Sequence, residues 1–255
     1  MPLHLQKVTS TTDFHTLIPC QWASFSNPPQ PFFSIFFPIL GTHPTARQDS
    51  ILESTQRQIE WHNSDPTSYW QKIVDSETGD IAGGALWKIC EKNPFEGVEG
   101  EEVVAGWYPE GVRREFMSQA LKQYVTPRRN GNGPIYGIGH FADGIGYIML
   151  VLNILFTHPN HRRKGAGDLA MEWGIKKADE LGIEMWIDAT PLGLPLYKKH
   201  GLIVVHETVL EPKTDNPSEE WNKVKEEFGH VVVAHLWRPA YGKMKEGQDV
   251  PRFEG

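Results

Sequence analysis

The chain has 255 residues, which is enough to bury a hydrophobic core as one domain or at most two. Hydrophobic residues make up 39% and charged residues 22%, as in an ordinary globular protein. The formal net charge of −7 argues against general nucleic-acid binding, which requires a broad basic face.

Residues 3–89 are predicted to contain strands and helices in the order β-α-α-β-β. Apolar residues at helical or alternating spacing, and turn residues at the segment ends, place these elements. Residues 26–44 are rich in proline and aromatic side chains, and we expect a loop there. The predicted elements are a strand at 3–8, a helix from 9–13 towards Phe25, a helix at 49–62, and strands at 69–74 and 81–89.

Residues 91–139 form a predicted insert. Its first part, 91–110, is acidic and contains glycine, so we expect irregular structure that is exposed to solvent. Apolar residues at helical spacing predict a helix over 113–125, and proline and glycine predict a loop after it. We therefore expect a single domain over 1–240 with an accessory insert at about 91–139, and a flexible tail at 241–255.

The second half of the chain alternates strands with helices. Residues 147–156 form a nearly continuous apolar run, which is typical of a strand buried on both faces. A glycine-containing turn leads from it into an amphipathic helix that ends at Gly182. This alternation predicts an α/β fold in which helices cover both faces of a mixed sheet. The remaining predicted elements are a strand at 184–189, a short helix at 194–200, a strand at 202–207, a helix at 218–228 and a strand at 231–237.

The turn between the buried strand and the amphipathic helix is suited to an anion. It reads HPNHRRKGAGDL, so Arg162, Arg163 and Lys164 precede Gly165 and Gly167. The glycines let a ligand approach the backbone closely, and the first N–H groups of the helix lack intrahelical partners. A pyrophosphate suits this pattern, although a basic turn that binds nothing would have the same sequence. The phosphate-binding patterns G-x-x-x-x-G-K-[ST] and G-x-G-x-x-G are both absent.

Two motifs in the second half resemble those of one enzyme family. Arg162, Gly165 and Gly167 form R-x-x-G-x-G, which is similar to the [QR]-x-x-G-x-[GA] motif of the GNAT superfamily of N-acetyltransferases. Downstream, LYKKHGL resembles the family motif L-Y-x-x-x-G-F, with Leu202 in place of phenylalanine. The resemblance covers residues 147–205. It implies the GNAT fold, a mixed, mostly antiparallel twisted sheet flanked by helices on both faces, here with a central insert.

The resemblance implies a site for acetyl-CoA, the acetyl donor of these enzymes. The end of the buried strand would pair with the pantetheine arm, and the basic turn would hold the pyrophosphate through backbone N–H groups. Asp168 would open the helix, and Thr190 stands where relatives often carry asparagine. The implied coenzyme A-binding residues are Leu155, Phe156, Thr157, Arg162, Arg163, Lys164, Gly165, Ala166, Gly167, Asp168 and Thr190.

The resemblance also implies one catalytic residue, Tyr197, which matches the family tyrosine near the coenzyme thiol. A phenol can donate a proton as negative charge builds on the leaving sulfur, although a tyrosine on a short helix can also serve packing alone. N–H groups near Phe156 or Thr157 would stabilise the thioester oxyanion. The sequence identifies no clear general base, and the candidates are Glu102, His140, Asp143 and His158.

The acceptor and the function stay open on sequence alone. Phe32, Phe33, Phe36 and Phe37, with Trp22, either line an apolar acceptor pocket or hold a loop on the core. The function that the family implies is transfer of an acetyl group from acetyl-CoA to a primary amine, on a small molecule or a protein. The alternatives are a GNAT-fold module that binds an acyl-CoA without turnover, and an interaction protein that uses the aromatic segment.

The expected setting is the cytoplasm. Cys20 and Cys90 have neither metal-ligand nor disulfide-framework spacing, so we expect reduced thiols and no metal. The N-terminal residues lack a long apolar segment, and the longest apolar runs are about half the length of a membrane span. We therefore predict no membrane partner and no nucleic-acid partner, while the family resemblance adds the prospect of a homodimer.

Overall fold

The computed structural model describes residues 3–90, 102–129, 149–244 and 246–251. The strands are β1 (Leu3–Lys7), β2 (Ser68–Asp75), β3 (Ile81–Cys90), β4 (Met149–Thr157), β5 (Glu184–Ala189), β6 (Ile203–Leu210) and β7 (Val231–Arg238). The helices are α1 (Phe14–Phe25), α2 (Pro31–Ser34), α3 (Ala46–Ser64), α4 (Val112–Arg129), α5 (Ala166–Leu181), α6 (Leu194–Lys199) and α7 (Glu219–Phe228). Short 3-10 turns cover Thr11–Asp13, Pro159–His161 and Ala240–Gly242.

These strands form one sheet in the order β1-β2-β3-β4-β5-β7-β6. Neighbouring strands pair antiparallel except β4 and β5, which run parallel. The parallel pairing is short, because it extends only from Met149 and Glu184 to Leu152 and Ile187. The prediction of a mixed, mostly antiparallel sheet is confirmed.

A β-bulge interrupts β4 next to the end of this parallel pairing. On the β3 side, Trp87 pairs with Leu152 and Leu86 pairs with Ile154, so Asn153 is the extra residue. A bulge bends its strand and increases the local twist. It therefore changes the direction of β4 over its last residues.

Helices cover both faces of the sheet, as predicted. Leu150 and Leu152 of β4 pack with Ala170 of α5 in one core cluster. Phe156, also on β4, packs with Leu17 of α1 in a second cluster on the other face. A third cluster joins α4 and α7 to the ends of β6 and β7. In a regular strand Leu152 and Phe156, four residues apart, would share a face, but the extra residue Asn153 shifts the alternation and places them on opposite faces.

The largest differences from the predicted elements concern two helices. The loop predicted over 26–44 contains the short helix α2, which begins at Pro31, a residue suited to a first helical position. Helix α4 continues past residue 125 to Arg129, so the loop predicted there is wrong for 126–129. Pro127 lies in the last turn, where a missing N–H removes only one backbone bond. Residues 91–101 and 130–139 of the predicted insert lie outside the described residues.

Cys20 and Cys90 are buried and free. Burial raises the pKa of the Cys20 thiol to about 12 and that of the Cys90 thiol to about 11, so both thiols stay protonated at neutral pH. Among the described residues, no helix combines the length and apolar character needed to cross a membrane. The same residues contain no group of three or more His, Cys, Asp or Glu that could hold a metal ion.

Candidate active site

A cleft opens in the sheet where β4 and β5 stop pairing. The last register pair joins Leu152 and Ile187, whereas β4 continues to Thr157 and β5 to Ala189. We attribute the separation to the bulge at Asn153, which directly follows the last pair. A cavity of about 1190 Å³ occupies this region, and both strand ends, the N-terminus of α5 and residues of α2 and α3 line it.

The turn before α5 presents to this cavity backbone donors that have no intrahelical partner. Leu169 N donates to Gly165 O at 3.0 Å, so the N–H groups of Ala166, Gly167 and Asp168 precede the first intrahelical bond. Together with the helix dipole, these groups favour an anion at this position.

The three basic residues of the turn have different roles in the structure. Arg162 lines the cavity, and its Nη2 donates to the backbone oxygen of Ser24 on α1 at 2.7 Å. Arg163 also lines the cavity and has a left-handed backbone with φ 61°, which is uncommon for a residue with a side chain. Lys164 Nζ donates to Asn160 O at 2.7 Å, and Lys164 is not among the described residues that line the cavity.

The two glycines of the turn are favoured for different physical reasons. Gly165 has φ +88°, and a Cβ there would meet no described atom within 4 Å, so its backbone conformation is what favours glycine. A Cβ on Gly167 would lie 2.8 Å from Leu196 Cδ2, so glycine at 167 lets α5 pack closely against α6. From the sequence alone we expected one role for both glycines, the close approach of a ligand, and these two causes could not be separated.

Asp168 and Thr190 line the cavity and connect elements around it. Asp168 Oδ1 accepts a hydrogen bond from Lys199 Nζ at 2.7 Å and lies 2.8 Å from His200 Nε2. These bonds, first that of Lys199 and then that of His200, lower the pKa of Asp168. Thr190 Oγ1 donates to Gln30 Oε1 at 2.9 Å, which links the end of β5 to the residue before α2.

Tyr197 lies in α6 with only 6% of its surface exposed, and it lines the cavity. Burial raises the pKa of its phenol, so the phenol keeps its proton at neutral pH. Its hydroxyl donates no hydrogen bond to another residue in the described ranges. A Cβ on Gly193 would lie 2.7 Å from Tyr197 Cε2, so glycine at 193 makes room for the ring.

Aromatic side chains form the wall of the cavity opposite α5. Phe32, Phe36, Trp61 and Tyr124 line it, and the Phe32 and Tyr124 ring centroids are 5.0 Å apart. Trp22 instead is buried in the core and does not line the described cavity. The aromatic residues therefore have both of the roles that the sequence left open, because some of them pack on the core and others face the cavity.

The sequence matches no protein-family model and no curated protein. Solved structures do match. Arylalkylamine N-acetyltransferase 2 from Aedes aegypti is 18% identical with a TM-score of 0.55, over 94% of this chain and 100% of that chain. Drosophila melanogaster polyamine N-acetyltransferase is 14% identical with a TM-score of 0.53, over 92% and 99%. A structure described as histone acetyltransferase HPA2 and related acetyltransferase, from Corynebacterium glutamicum, is 18% identical with a TM-score of 0.51, over 96% and 99%. The chain has the GNAT fold.

Two of the four general-base candidates from the sequence fall within the described part of this GNAT fold. His140 and Asp143 lie outside the described residues. Glu102 and His158 are described, but neither lines the described cavity. His158 Nδ1 accepts from Asn160 N at 3.3 Å, and burial is the main cause that lowers the pKa of His158.

A carboxylate that the sequence analysis did not single out lines the GNAT-fold cleft. Asp188 follows the last residue of β5 that pairs with β4, and its side chain is 10% exposed. Its Oδ1 lies 2.6 Å from His235 Nδ1, and its Oδ2 accepts from Tyr124 OH at 3.1 Å. His235 Nε2 lies 2.8 Å from Thr208 Oγ1. The signal available in the sequence was an aspartate near the end of a mostly apolar strand, where burial demands polar partners.

Proposed function

We propose that the protein is an N-acetyltransferase that moves an acetyl group from acetyl-CoA to a primary amine. The observation that carries the proposal is the separation of β4 and β5 after Leu152 and Ile187, beside a basic turn at a helix N-terminus. A strand edge without a neighbour offers N–H and C=O groups to an extended arm, and the helix N-terminus suits phosphate. The names of the similar structures, which include arylalkylamine and polyamine N-acetyltransferases, support the same class of reaction.

The residues of the cleft fit the coenzyme. Leu155, Phe156 and Thr157 would pair with the amides of the pantetheine arm. The N–H groups of residues 166–168 would bind the pyrophosphate, with added positive charge from residues 162–164. Thr190 lies across the gap and would contact the arm from the β5 side. When bound, the coenzyme supplies an activated thioester beside these residues.

Tyr197 is the residue proposed to protonate the leaving sulfur. In the net reaction a nitrogen–carbon bond forms, the carbon–sulfur bond breaks, and an ammonium acceptor loses two protons. One proton ends on sulfur, delivered by Tyr197, which regains a proton from the acylated nitrogen, and the other goes to solvent. The raised pKa of Tyr197 keeps the proton in place until charge develops on sulfur. N–H groups near Phe156 or Thr157 would donate to the carbonyl oxygen.

The test is a thermal-shift titration with acetyl-CoA, in which wild type is compared with Gly165→Glu. At about 100 times the dissociation constant, binding raises the free energy of unfolding by about 2.7 kcal/mol, or roughly 5–10 °C in Tm for this chain length. We expect this rise in wild type and its loss in Gly165→Glu, because the new side chain would occupy the phosphate position with negative charge.

Gly79→Glu is the matched control. Gly79 has φ +78°, and a Cβ there also meets no described atom within 4 Å, so the backbone strain is the same. Gly79→Glu should keep the full shift. A shift of equal size in Gly165→Glu would place the coenzyme elsewhere, and no shift in wild type would remove the proposal. Amine-dependent thiol release then separates an enzyme from a module that binds acyl-CoA without turnover.

A further inference from the structure

Asp188 carries an inference about the acceptor, which rests on the proposed function. We propose that Asp188, oriented by His235 and Tyr124, binds the ammonium group of the acceptor and takes the proton that the nitrogen loses before attack. The acceptor that this site fits is a primary amine on a flat apolar skeleton.

The pleat of β5 places Asp188 on the side of the sheet away from α5. Met185, Ile187 and Ala189 belong to the core cluster that contains α5. Asp188 alternates with them and therefore points to the opposite face, where Tyr124 of α4 contacts it. The basic turn lies at the N-terminus of α5. A donor held by that turn and an acceptor held by Asp188 would approach the gap between β4 and β5 from opposite faces.

The partners of Asp188 suit it to hold a cation. His235 is fully buried, and with Nδ1 as the donor to Asp188 its Nε2 can accept the hydroxyl hydrogen of Thr208. The phenol of Tyr124 donates to the other carboxylate oxygen. These bonds fix the carboxylate in a partly enclosed site, where its charge attracts an ammonium more strongly than in water.

Two further carboxylates that line the described cavity, Asp65 and Asp168, are each paired with a lysine. Asp65 Oδ2 lies 2.6 Å from Lys88 Nζ, and Asp168 Oδ1 lies 2.7 Å from Lys199 Nζ. A second ammonium group on the acceptor would have to displace one of these lysines. A monoamine is therefore a better fit than a polyamine.

The aromatic wall adjoins Asp188, because Tyr124 is part of this wall and also donates a hydrogen bond to Asp188. Phe32 and Phe36 lie against Tyr124, with ring centroids 5.0 and 6.0 Å from it. Such rings stack on a flat apolar skeleton, and their faces also attract a cation. An acceptor with its ammonium on Asp188 would place its skeleton along this wall.

One N–H proton of the bound ammonium passes to the carboxylate of Asp188, which leaves a neutral amine whose lone pair forms the nitrogen–carbon bond. His235 keeps its hydrogen bond to the other oxygen. Asp188 returns the proton to solvent after the acetylated product leaves.

The experiment measures 2-phenylethylamine with wild type, Asp188→Asn and the matched control Asp179→Asn. Asp179 is also a hydrogen-bonded carboxylate, paired with Arg238 at 2.8 Å, but it does not line the described cavity. We expect Asp188→Asn to keep the acetyl-CoA thermal shift, which shows that it is folded. Its affinity for the amine, titrated calorimetrically into the coenzyme A complex, should fall at least about tenfold, and thiol release about 10²-fold or more. Asp179→Asn should match wild type.

A pH series separates proton transfer from a structural role. The loss in Asp188→Asn should shrink as the pH rises towards the pKa of a free alkylamine, about 10.4, because the acceptor then arrives unprotonated. Titratable groups around Asp188 in the described structure are Tyr124, His235, and His206, which stacks on His235 at 5.7 Å. Burial is the main cause that lowers the pKa of His206, so this imidazole is neutral over the series. A loss that is constant with pH would overturn the role of Asp188 as the base.

Further outcomes bear on the inference and on the proposed function separately. Asp188→Glu keeps the negative charge but moves it, so this variant should retain amine binding and lose at least about tenfold in kcat. It replaces Asp188→Asn as the test if Asp188→Asn does not fold. Turnover by either Asp188 variant at the wild-type rate would overturn the inference. Faster turnover of agmatine or of a tetrapeptide than of 2-phenylethylamine would overturn the acceptor class. Wild type without an acetyl-CoA shift, or without thiol release on any of these amines, would overturn the proposed function itself.

Discussion

The phenol of Tyr197 is buried, and its raised pKa keeps it protonated at neutral pH. Glycine at 193 leaves room for its ring. If this phenol protonates the leaving sulfur, Tyr197→Phe should lower kcat about 10²-fold while the acetyl-CoA thermal shift is retained. Steady-state thiol release with a saturating amine measures this. Burial also raises the pKa of Tyr108, which lies outside the described cavity lining, so Tyr108→Phe is the matched control and should leave kcat unchanged. An unchanged kcat in Tyr197→Phe would return this residue to a packing role.

The candidate site residues that the sequence could suggest are those whose neighbours are local. The turn from Arg162 to Gly167 is one continuous motif, so its glycines and basic residues could be read in order. The pair of Asp188 and His235 could not, because these residues are 47 positions apart and meet only through the register of β5 and β7. Nothing in the apolar run of β4 marked Asn153 as a bulge, since a bulge depends on the pairing with β3.

At the scale of elements, the sequence predicted the strands and the capped helices well. Ser218 precedes α7 and is a residue type that favours a helix N-cap, and its Oγ accepts from Trp221 N at 3.1 Å. The short helix α2 was missed, because four residues give no period to detect and tertiary packing of Phe33 stabilises it. Pro127 predicts that the helix ends before it, but the packing of α4 extends the helix to Arg129.

Deletion of Asn153 should remove the bulge from β4. Leu152 and Leu155 face α5, while Ile154 and Phe156 pack on the other face, so the faces alternate regularly once Asn153 is omitted. Asn153 is exposed, and its deletion should give a straighter strand with the core intact. We expect cooperative unfolding close to that of wild type, together with loss of the acetyl-CoA thermal shift.

Deletion of Leu150 from the same strand is the contrasting control. It removes a buried residue before the bulge and shifts the alternation of its neighbours, so the protein should not fold. Circular dichroism and urea unfolding distinguish the two deletions. A full acetyl-CoA shift in the Asn153 deletion would show that the bulge does not create the coenzyme site.

At the scale of the whole molecule, the sheet consists of two antiparallel blocks. One contains β1 to β4 and the other β5, β7 and β6, and their described pairing runs only from Met149 to Leu152 on β4. On one face α5 packs across both blocks. The coenzyme site proposed here lies at the open end of this junction.

Hydrogen exchange tests whether the coenzyme closes the junction. Saturating acetyl-CoA should slow exchange of the backbone amides at 153–157 and 188–190 by at least about tenfold beyond any global effect, because an arm bound there would accept and donate hydrogen bonds. The amides of β1 and β2, at the far edge, provide the internal reference. Equal slowing at both places would indicate global stabilisation without binding in the gap.

A short junction next to the proposed coenzyme site would have a consequence for protein lifetime in a cell. If bound acetyl-CoA stabilises the contact between the two blocks, the unfolded fraction of the protein depends on the acetyl-CoA concentration. This fraction is about 100 times lower at 100 times the dissociation constant than without acetyl-CoA. Unfolded chains are removed by proteases, so changes of this size alter abundance. A fall in acetyl-CoA supply would then reduce the number of enzyme molecules as well as the rate at which each one works.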